Sequence, residues 1–347
     1  MPHQDNTCRM RQLTLNAPRK LTLGQAEIPA CGADEALLKM VRVGVCGTDM
    51  HVYSGHNKYC HYPIVPFHEG IGRVADVGEN VSHVKPGDLC VVRPIISCGS
   101  CFTCLRGREN ACMNFNCLGV QSDGIGQDYF ALHKQYIYPL PADGDLDSLI
   151  LIEPFANAVH AAKRVDLTGK TVLVVGLGTI GNLTAQACRL YGAGTVCGCD
   201  ISDTKIRMAR ESGVEICINN RGRELREIAE EAFGTYPDVV IDCVGSIHVF
   251  PQILDLVAKT TTILILGNYT EPVSIDLSRI QRNELNVLGC ITYTAQDFQE
   301  AVDLVVRGAV YTDGFVGARF PMERAAEMME YAVTHTDVTM KTVMEYM

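Results

Sequence analysis

The sequence predicts an α/β protein with two domains, in which a mainly-β domain precedes a doubly wound parallel sheet. Its 347 residues exceed the roughly 100–200 residues of a typical single domain. Short strand-like runs separated by Gly, Pro and Asn turn residues occupy the first 152 positions. From about residue 168, continuous apolar runs alternate with helical segments, which is typical of a parallel sheet covered by helices on both faces.

The individual elements follow this division of the chain. In the first part, the predicted strands are ALLKMVRVGVCG (36–47), GIGRVADVGENV (70–81) and LCVVRP (89–94). In the second part, the predicted elements are the strand TVLVVG (171–176), the helix IGNLTAQACRLYGAG (180–194) and the strands TVCGCD (195–200), VEICIN (214–219), DVVIDCVG (238–245) and TILILGN (262–268). Helical spacing returns in AQDFQEAVDLVVRGAV (295–310) and AAEMMEYAV (325–333).

Composition and charge exclude several classes of function. The formal net charge is −10 and the isoelectric point is near 5.5, which argues against nucleic acid or an anionic membrane as a partner. No apolar run reaches the ~18 residues of a membrane span, and the N-terminus lacks a hydrophobic signal core. We therefore expect a cytoplasmic protein whose 16 cysteines stay reduced, so that closely spaced cysteines indicate metal ligands or a redox pair.

A glycine-rich motif, GLGTIG (176–181), lies between a predicted buried strand and a predicted helix. Its glycines allow a tight turn, close approach of a pyrophosphate to the helix N-terminus and close packing of helix and strand. Asp200 follows the third glycine by nineteen residues, at the end of the next strand, where its carboxylate can accept hydrogen bonds from the adenosine ribose. The negative charge would repel a 2′-phosphate, so the predicted cofactor is NAD and not NADP. The alternative is a glycine turn with an ordinary surface aspartate.

Four cysteines lie within the segment CGSCFTCLRGRENAC (98–112). The spacing of Cys98, Cys101, Cys104 and Cys112 suits a closed tetrahedral zinc site. An iron–sulfur site is the rival interpretation, whereas four buried free thiols are implausible in so charged a segment. Four cysteine ligands leave no open coordination position, so we expect this site to stabilise the protein and not to bind substrate.

A second candidate metal site combines Cys46, in VGVCGTDMHVY (43–53), with His68, in PFHEGIGRV (66–74). Together with a carboxylate, they would give the mixed ligand set of a catalytic zinc. Taken singly, a cysteine after a strand is usually a core residue and a His-Glu pair is usually on the surface. Their occurrence beside the glycine motif and the four-cysteine segment favours the metal site.

Taken together, these motifs resemble the zinc-dependent medium-chain alcohol dehydrogenases, in particular the branch of sorbitol, polyol and sugar-acid dehydrogenases. The resemblance covers essentially the whole chain and rests on Cys46-Gly-Thr-Asp-x-His51, His68-Glu69-Gly, Pro86-Gly-Asp88 with Val92, the four clustered cysteines, Glu153-Pro154, the glycine motif and Asp200. It implies a GroES-like catalytic zinc domain at 1–152, resumed by 288–347, and an NAD-binding Rossmann domain at 153–287. It also implies a homodimer or homotetramer.

The same resemblance implies roles for individual residues. The ligands of a catalytic zinc would be Cys46, His68 and either Glu69 or Glu153. The other acid would bind the metal through water or replace the first as a ligand. The four clustered cysteines would hold a second, structural zinc. Thr48 would hydrogen-bond the substrate hydroxyl, and His51 would relay its proton to solvent. The NAD-binding residues would be Gly176, Gly178, Thr179, Ile180, Gly181, Asp200 and Lys205.

The implied reaction transfers a hydride from a secondary alcohol of a polyol or sugar acid to NAD and gives the ketone. Substrate contacts are expected from Tyr53, Tyr293 and Lys58, the last in a polar segment that could equally be a solvated loop. Two residues depart from the family pattern. Phe67 stands where a glycine commonly precedes the His-Glu pair, and Thr292 stands where the sorbitol-like branch often has an arginine.

Other functions remain open at this level. A non-catalytic structural or sensor protein could retain the NAD and zinc sites, because a fold alone does not establish turnover. The zinc ligands and the Thr48–His51 relay favour an enzyme. The substrate could be another small alcohol, and an NADP-dependent reductase of small aldehydes is disfavoured by Asp200.

Overall fold

The structure is a computed structural model that describes residues 9–346, and the chain divides into two compact units. The first unit contains the residues through Glu153, the segment 305–307 and the residues from Phe315 onward. The second unit contains 154–304 and 308–314. The chain therefore leaves the first unit one residue later than the sequence predicted.

The elements are numbered in chain order. The strands are β1 Arg9–Leu15, β2 Leu21–Glu27, β3 Glu35–Gly44, β4 Glu69–Val77, β5 Leu89–Val92, β6 Ile95–Ile96, β7 Asn116–Cys117, β8 Tyr129–His133, β9 Ile137–Leu140, β10 Thr171–Val175, β11 Thr195–Asp200, β12 Ile216–Asn219, β13 Val239–Asp242, β14 Thr262–Ile265, β15 Asn286–Gly289, β16 Val316–Pro321 and β17 Lys341–Glu345. The helices are α1 Gly47–Ser54, α2 Leu146–Leu149, α3 Ile152–Lys163, α4 Thr179–Leu190, α5 Asp203–Glu211, α6 Leu225–Phe233, α7 Val249–Leu256, α8 Leu277–Arg282, α9 Ala295–Val306 and α10 Ala325–Thr334.

The first unit is built on a seven-stranded, mainly antiparallel sheet. Its strand order is β16-β17-β3-β4-β5-β9, and β8 also pairs with β3. The pairs β1–β2 and β6–β7 form separate two-stranded sheets. Because β17 pairs with β3, a strand from the second part of this unit completes the sheet that β3 begins. The mainly-β character predicted for this part is confirmed.

The second unit is a parallel sheet of six strands in the order β12-β11-β10-β13-β14-β15. Numbered by appearance within the unit, this order is 3-2-1-4-5-6, the doubly wound arrangement predicted from the sequence. The winding direction reverses between β10 and β13, and ligands of such sheets bind beyond the carboxyl ends of the strands at that point.

The return of the chain to the first unit differs from the prediction. The sequence placed the return at residue 288, whereas 288–304 belong to the second unit. The reason is that β15 is the sixth strand of the parallel sheet, paired with β14. The residues of α9 through Leu304 also lie in this unit. Asp297 of α9 forms a hydrogen bond of 2.7 Å with His160 Nδ1 of α3.

Several of the cysteines are ordinary core residues of the parallel sheet. Cys197 and Cys199 are fully buried on β11, in a cluster with Leu173, Val240 and Ile263. Burial raises the pKa of the Cys199 thiol to about 12, which disfavours the thiolate. The high cysteine count therefore does not by itself indicate metal ligands. Within residues 9–346, none of the helices has the length and hydrophobicity needed to cross a bilayer.

Candidate active site

Asp49 holds two residues of the predicted catalytic zinc site in place. Cys46 immediately precedes α1, and its backbone N–H donates to Asp49 Oδ2 at 2.8 Å. The other oxygen, Oδ1, lies 3.2 Å from His68 Nδ1, and Asp49 is only 2% exposed. A carboxylate this close to Nδ1 attracts the charged form of the imidazole, and Nε2 is the nitrogen left for a metal. Asp49 lies within the motif Cys46-Gly-Thr-Asp-x-His51, which does not by itself indicate this role. The available signal was its position three residues after a helix cap.

Three candidate ligands converge in the first unit. The ligand atoms of Cys46, His68 and Glu69 lie within 4.8 Å of one another. A thiolate, an imidazole and a carboxylate form a donor set that suits zinc and leaves a coordination position open. Burial opposes the charged form of His68, but the Asp49 carboxylate prevails and raises the pKa of His68 well above its ordinary value. These residues fit a catalytic zinc.

Lys341 is a buried partner of Glu69 that no sequence motif indicated. Its Nζ donates to Glu69 Oε1 at 2.8 Å, to Glu69 Oε2 at 2.6 Å and to the carbonyl oxygen of Val45 at 3.3 Å. Burial lowers the pKa of Lys341, whereas the charges of Glu69 and Cys46 raise it. The net result is an increase in the pKa of Lys341. Both oxygens of Glu69 therefore share their charge with an ammonium group.

Glu153, the alternative carboxylate ligand, is the second residue of α3 and is 5% exposed. It interacts electrostatically with Lys341 and with the buried thiol of Cys117. Among the described residues, it does not join the group whose ligand atoms lie within 4.8 Å. Of the two predicted acids, Glu69 is the one that the structure brings to the cysteine and the histidine.

The predicted proton relay lies on α1. Thr48 and His51 are three residues apart on this helix, so their side chains project from neighbouring positions on one face. Both residues are half-buried. Burial, followed by the nearby His56, lowers the pKa of His51, so its imidazole is neutral near pH 7 and can accept a proton.

The four clustered cysteines form a compact group. Their ligand atoms all lie within 4.8 Å, with Sγ–Sγ distances of 3.4 Å for Cys101–Cys104, 3.8 Å for Cys101–Cys112 and 3.5 Å for Cys98–Cys112. Sulfurs bound to one tetrahedral zinc at about 2.3 Å would lie about 3.8 Å apart, whereas a disulfide would need about 2.05 Å. The spacing fits a single metal ion, since a cluster of several irons would hold its sulfurs further apart.

The polypeptide around this group favours a thiolate at Cys101 but not at Cys104, where desolvation and the contacts with Cys101 and Cys112 raise the pKa of the thiol to about 12. The backbone N–H of Cys98 donates to Cys112 Sγ and that of Met113 donates to Cys101 Sγ, each at 3.4 Å. The Thr103 hydroxyl, with backbone N–H groups, lowers the pKa of the Cys101 thiol to about 5. Because metals bind thiolates, the environment of Cys101 suits the predicted structural site.

The glycine motif has the geometry that dinucleotide binding needs. Gly176 has a φ of 89°, and a Cβ on Gly181 would lie 1.7 Å from the carbonyl oxygen of Gly176. These two positions therefore require glycine for the turn and for close packing. A Cβ on Gly178, at the N-terminus of α4, would meet nothing within 4 Å. That open space beside helix N–H groups suits a pyrophosphate, with Thr179 and Ile180 in the first turn of the helix.

Asp200 lies at the end of β11 and is already hydrogen-bonded. Its Oδ2 accepts from the backbone N–H of Leu177 at 2.8 Å, and its Oδ1 accepts from that of Ser202 at 2.9 Å. The carboxylate thus connects the glycine turn with the start of α5. Lys205 lies in the first turn of α5 and is half-buried.

Two of the three predicted substrate residues do not have the expected surroundings. Tyr53 is 3% exposed, and its hydroxyl donates to Glu330 at 2.8 Å. Tyr293 is fully buried and packs against Phe298, with ring centroids 5.4 Å apart. Because both rings are enclosed by protein, we withdraw the substrate role for these tyrosines. Lys58 is exposed, with its Nζ 5.2 Å from the centre of the Tyr59 ring.

The unusual residue Phe67 has an unusual backbone conformation. Its φ is 75°, in the left-handed region that disfavours residues with a Cβ. The backbone is closely surrounded, since a Cβ on Gly119 would lie 2.7 Å from Phe67 N and one on Gly124 would lie 2.1 Å from Phe67 O. The aromatic side chain is fully buried. The left-handed backbone explains why glycine suits this position. In this chain, burial of the aromatic ring compensates for the strain of having phenylalanine there instead of glycine. Thr292, the other departure, is also left-handed, with a φ of 44°.

We expect Phe67→Ala to destabilise the protein more than Phe67→Gly. Both variants lose the buried ring, which costs about 3–5 kcal/mol, but glycine also relieves about 1 kcal/mol of left-handed strain. Denaturant unfolding of both variants measures the difference. Phe155, fully buried within α3, is the matched control: there the glycine variant should be less stable than the alanine variant by about 1 kcal/mol. If Phe67→Gly were also less stable than Phe67→Ala, the result would contradict the strain argument.

Two family profiles match the two parts of the chain: the alcohol dehydrogenase GroES-like domain over residues 32–142 and the zinc-binding dehydrogenase over residues 179–307. L-galactonate-5-dehydrogenase of Escherichia coli (strain K12) is 30% identical over 339 residues, which cover 97% of this chain and 99% of that protein. The chain belongs to the zinc-dependent medium-chain alcohol dehydrogenase family. The family and fold predicted from the motifs are confirmed.

Other similar proteins include a named sorbitol dehydrogenase and two structures solved with nicotinamide nucleotides. Sorbitol dehydrogenase of Bacillus subtilis (strain 168) is 27% identical over 341 residues, covering 96% of each chain. A putative zinc-binding dehydrogenase from Sinorhizobium meliloti 1021, solved with NADP, has a TM-score of 0.90 and 29% identity over 97% of this chain and 99% of that one. RspB from E. coli CFT073, described as a short chain alcohol dehydrogenase and solved with NADH, has a TM-score of 0.90 and 27% identity over the same shares.

Proposed function

We propose that this dehydrogenase oxidises a secondary alcohol within a polyol or sugar acid to the ketone, with NAD as the hydride acceptor. The observation that carries the proposal is the convergence of Cys46, His68 and Glu69 within 4.8 Å, next to the helix that bears Thr48 and His51. When bound, zinc supplies a Lewis acid at the substrate oxygen and NAD supplies the hydride acceptor. The four cysteines of the other group would hold a structural zinc.

Thr48 and His51 would move the proton that the alcohol loses. The Thr48 side chain is half-buried on α1, and its hydroxyl oxygen could accept a hydrogen bond from the substrate hydroxyl. The proton would pass to His51, whose lowered pKa keeps a neutral nitrogen ready to receive it. His51 would then release the proton to solvent.

The charge of the ligand group favours an oxygen-rich substrate. Cys46 and Glu69 each contribute a negative charge, but the Glu69 carboxylate is paired through both oxygens with Lys341. The pairing leaves more positive charge on a bound metal than two unpaired anions would. A substrate with neighbouring hydroxyl or carboxylate oxygens can offset that charge, whereas a simple alcohol cannot. The names of two relatives, L-galactonate-5-dehydrogenase and sorbitol dehydrogenase, agree with this inference.

The test is a comparison of kcat/KM for five- and six-carbon polyols and aldonates with kcat/KM for ethanol and 2-butanol. We expect the polyhydroxylated substrates to be preferred by roughly 10²–10⁴-fold, because a site that hydrogen-bonds hydroxyls penalises analogues that lack them. Comparable values for 2-butanol would refute the substrate class and leave the zinc and NAD assignments standing.

Lys58→Ala distinguishes the two kinds of polyhydroxylated substrate. If the natural substrate is an aldonate, the variant should lower kcat/KM for aldonates by about tenfold and leave neutral polyols unchanged, since one charge-assisted contact is lost. Lys85→Ala, at another exposed lysine, is the matched control. Equal values for wild type and both variants would favour a neutral polyol.

A further inference from the structure

Arg221 lies next to Asp200, just beyond the carboxyl end of β12. Its Nε and Nη2 donate to the carbonyl oxygen of Ile201 at 3.2 and 2.9 Å, and its backbone N–H donates to Asn219 Oδ1 at 2.8 Å. A guanidinium has five N–H donors, so these two contacts leave the others available. The side chain is exposed and forms no ion pair with any described residue.

The charge of Asp200 is offset within its own surroundings. Its two oxygens accept from the N–H groups of Leu177 and Ser202, which precede the helices α4 and α5. Helix N-termini carry partial positive charge and stabilise an anion. A carboxylate has about four acceptor positions, so about two remain for ribose hydroxyls. Asp200 can therefore bind the ribose of NAD while repelling a nearby phosphate less than an isolated carboxylate would.

Two cationic side chains accompany this aspartate. Lys205 lies in the first turn of α5, and Arg221 is bonded to the residue directly after Asp200. Neither cation is paired with a carboxylate of the described residues. The planar fork of an arginine matches the geometry of a phosphate group better than a lysine does.

We propose that Arg221 is a specificity-determining residue that binds the 2′-phosphate of NADP, so that this dehydrogenase accepts NADP in addition to NAD. The proposal rests on the proposed function, because it requires a dinucleotide on the glycine motif. It modifies the prediction from sequence, which considered the charge of Asp200 alone. An arginine near the ribose is a general means of accommodating the extra phosphate.

The experiment measures dissociation constants of NADH and NADPH by nucleotide fluorescence, without substrate. We expect wild type to bind both, and Arg221→Gln to weaken NADPH by about tenfold while changing NADH by less than about twofold. Arg223→Gln is the matched control, because Arg223 is held by Glu231 at 2.7 Å and by Glu227 at 3.6 Å. It should change neither constant. Arg221→Lys should retain part of the NADPH affinity, since it keeps the charge and loses the fork.

The outcomes separate this proposal from the proposed function. Equal weakening of NADH and NADPH by Arg221→Gln, or no change in either, would overturn the role of Arg221. Binding of NADH without NADPH by wild type would also overturn it and would leave NAD-dependent oxidation intact. If wild type bound neither nucleotide, the proposed function itself would fail.

Discussion

Replacing Cys46 by serine should lower kcat by roughly 10³-fold or more, because the metal contributes several kcal/mol to stabilising the developing negative charge on the substrate oxygen. The loss of folding stability should be small. Cys46 is half-buried at the start of α1, and Asp49 bonds to its backbone N–H, which serine retains. The variant thus removes a ligand without removing the contact that positions the helix.

Three measurements on Cys46→Ser check this expectation: kcat, zinc content and the thermal unfolding midpoint. With one zinc in each of the two ligand groups, the content should fall from about two to about one per chain. Cys31→Ser is the control, since Cys31 lies outside both groups and bonds to the carbonyl oxygen of Glu35. Near-normal turnover in Cys46→Ser would refute the assignment of the catalytic metal.

Replacing Cys101 by serine should chiefly reduce stability. Cys101 contacts Cys104 and Cys112 at 3.4 and 3.8 Å and accepts from Met113 N–H, so its loss opens a closed site. Binding of a structural zinc is coupled to folding, and losing even about 3–5 kcal/mol would lower the unfolding midpoint by about 10 °C. Protein that remains folded should retain most of its kcat, since this group lacks an open coordination position.

The readouts for Cys101→Ser are the unfolding midpoint, the soluble yield and the zinc content. Ser100→Ala, in the same segment, keeps all four thiols and should behave like wild type. A chelator should lower the unfolding midpoint of the wild type to about that of Cys101→Ser. It should lower the midpoint of Cys101→Ser itself only slightly. An unchanged midpoint together with unchanged zinc would show that these cysteines hold no structural metal.

Features that depend on neighbours along the chain could be predicted from the sequence. The glycine spacing of GLGTIG, with Gly176 in a left-handed conformation and Gly181 against its carbonyl, is a local property of a strand–turn–helix connection. The four-cysteine group is likewise formed within fifteen residues. Asp200 was predicted at the end of its strand, but its two backbone donors were not.

Features that depend on distant contacts could not be predicted in this way. Lys341 and Glu69 are 272 residues apart, and nothing near either residue indicates the other. The hydroxyl of the buried Tyr53 donates to Glu330, which is 277 residues away. The predicted boundary at residue 288 cuts through β15, because a short, partly exposed strand resembles the strands of either sheet. Arg221 reaches Ile201 across 20 residues because two neighbouring parallel strands end at the same edge.

The position of β17 sets the order in which the two units can form on the ribosome. β17 lies between β16 and β3 in its sheet, yet it is the last strand to be translated. Lys341, at its start, bonds to Val45 across 296 residues and neutralises the buried Glu69. The parallel sheet, in contrast, has all six strands by Gly289. We therefore expect the second unit to complete its sheet before the first unit, whose sheet needs β17, which is the reverse of the usual N-to-C order.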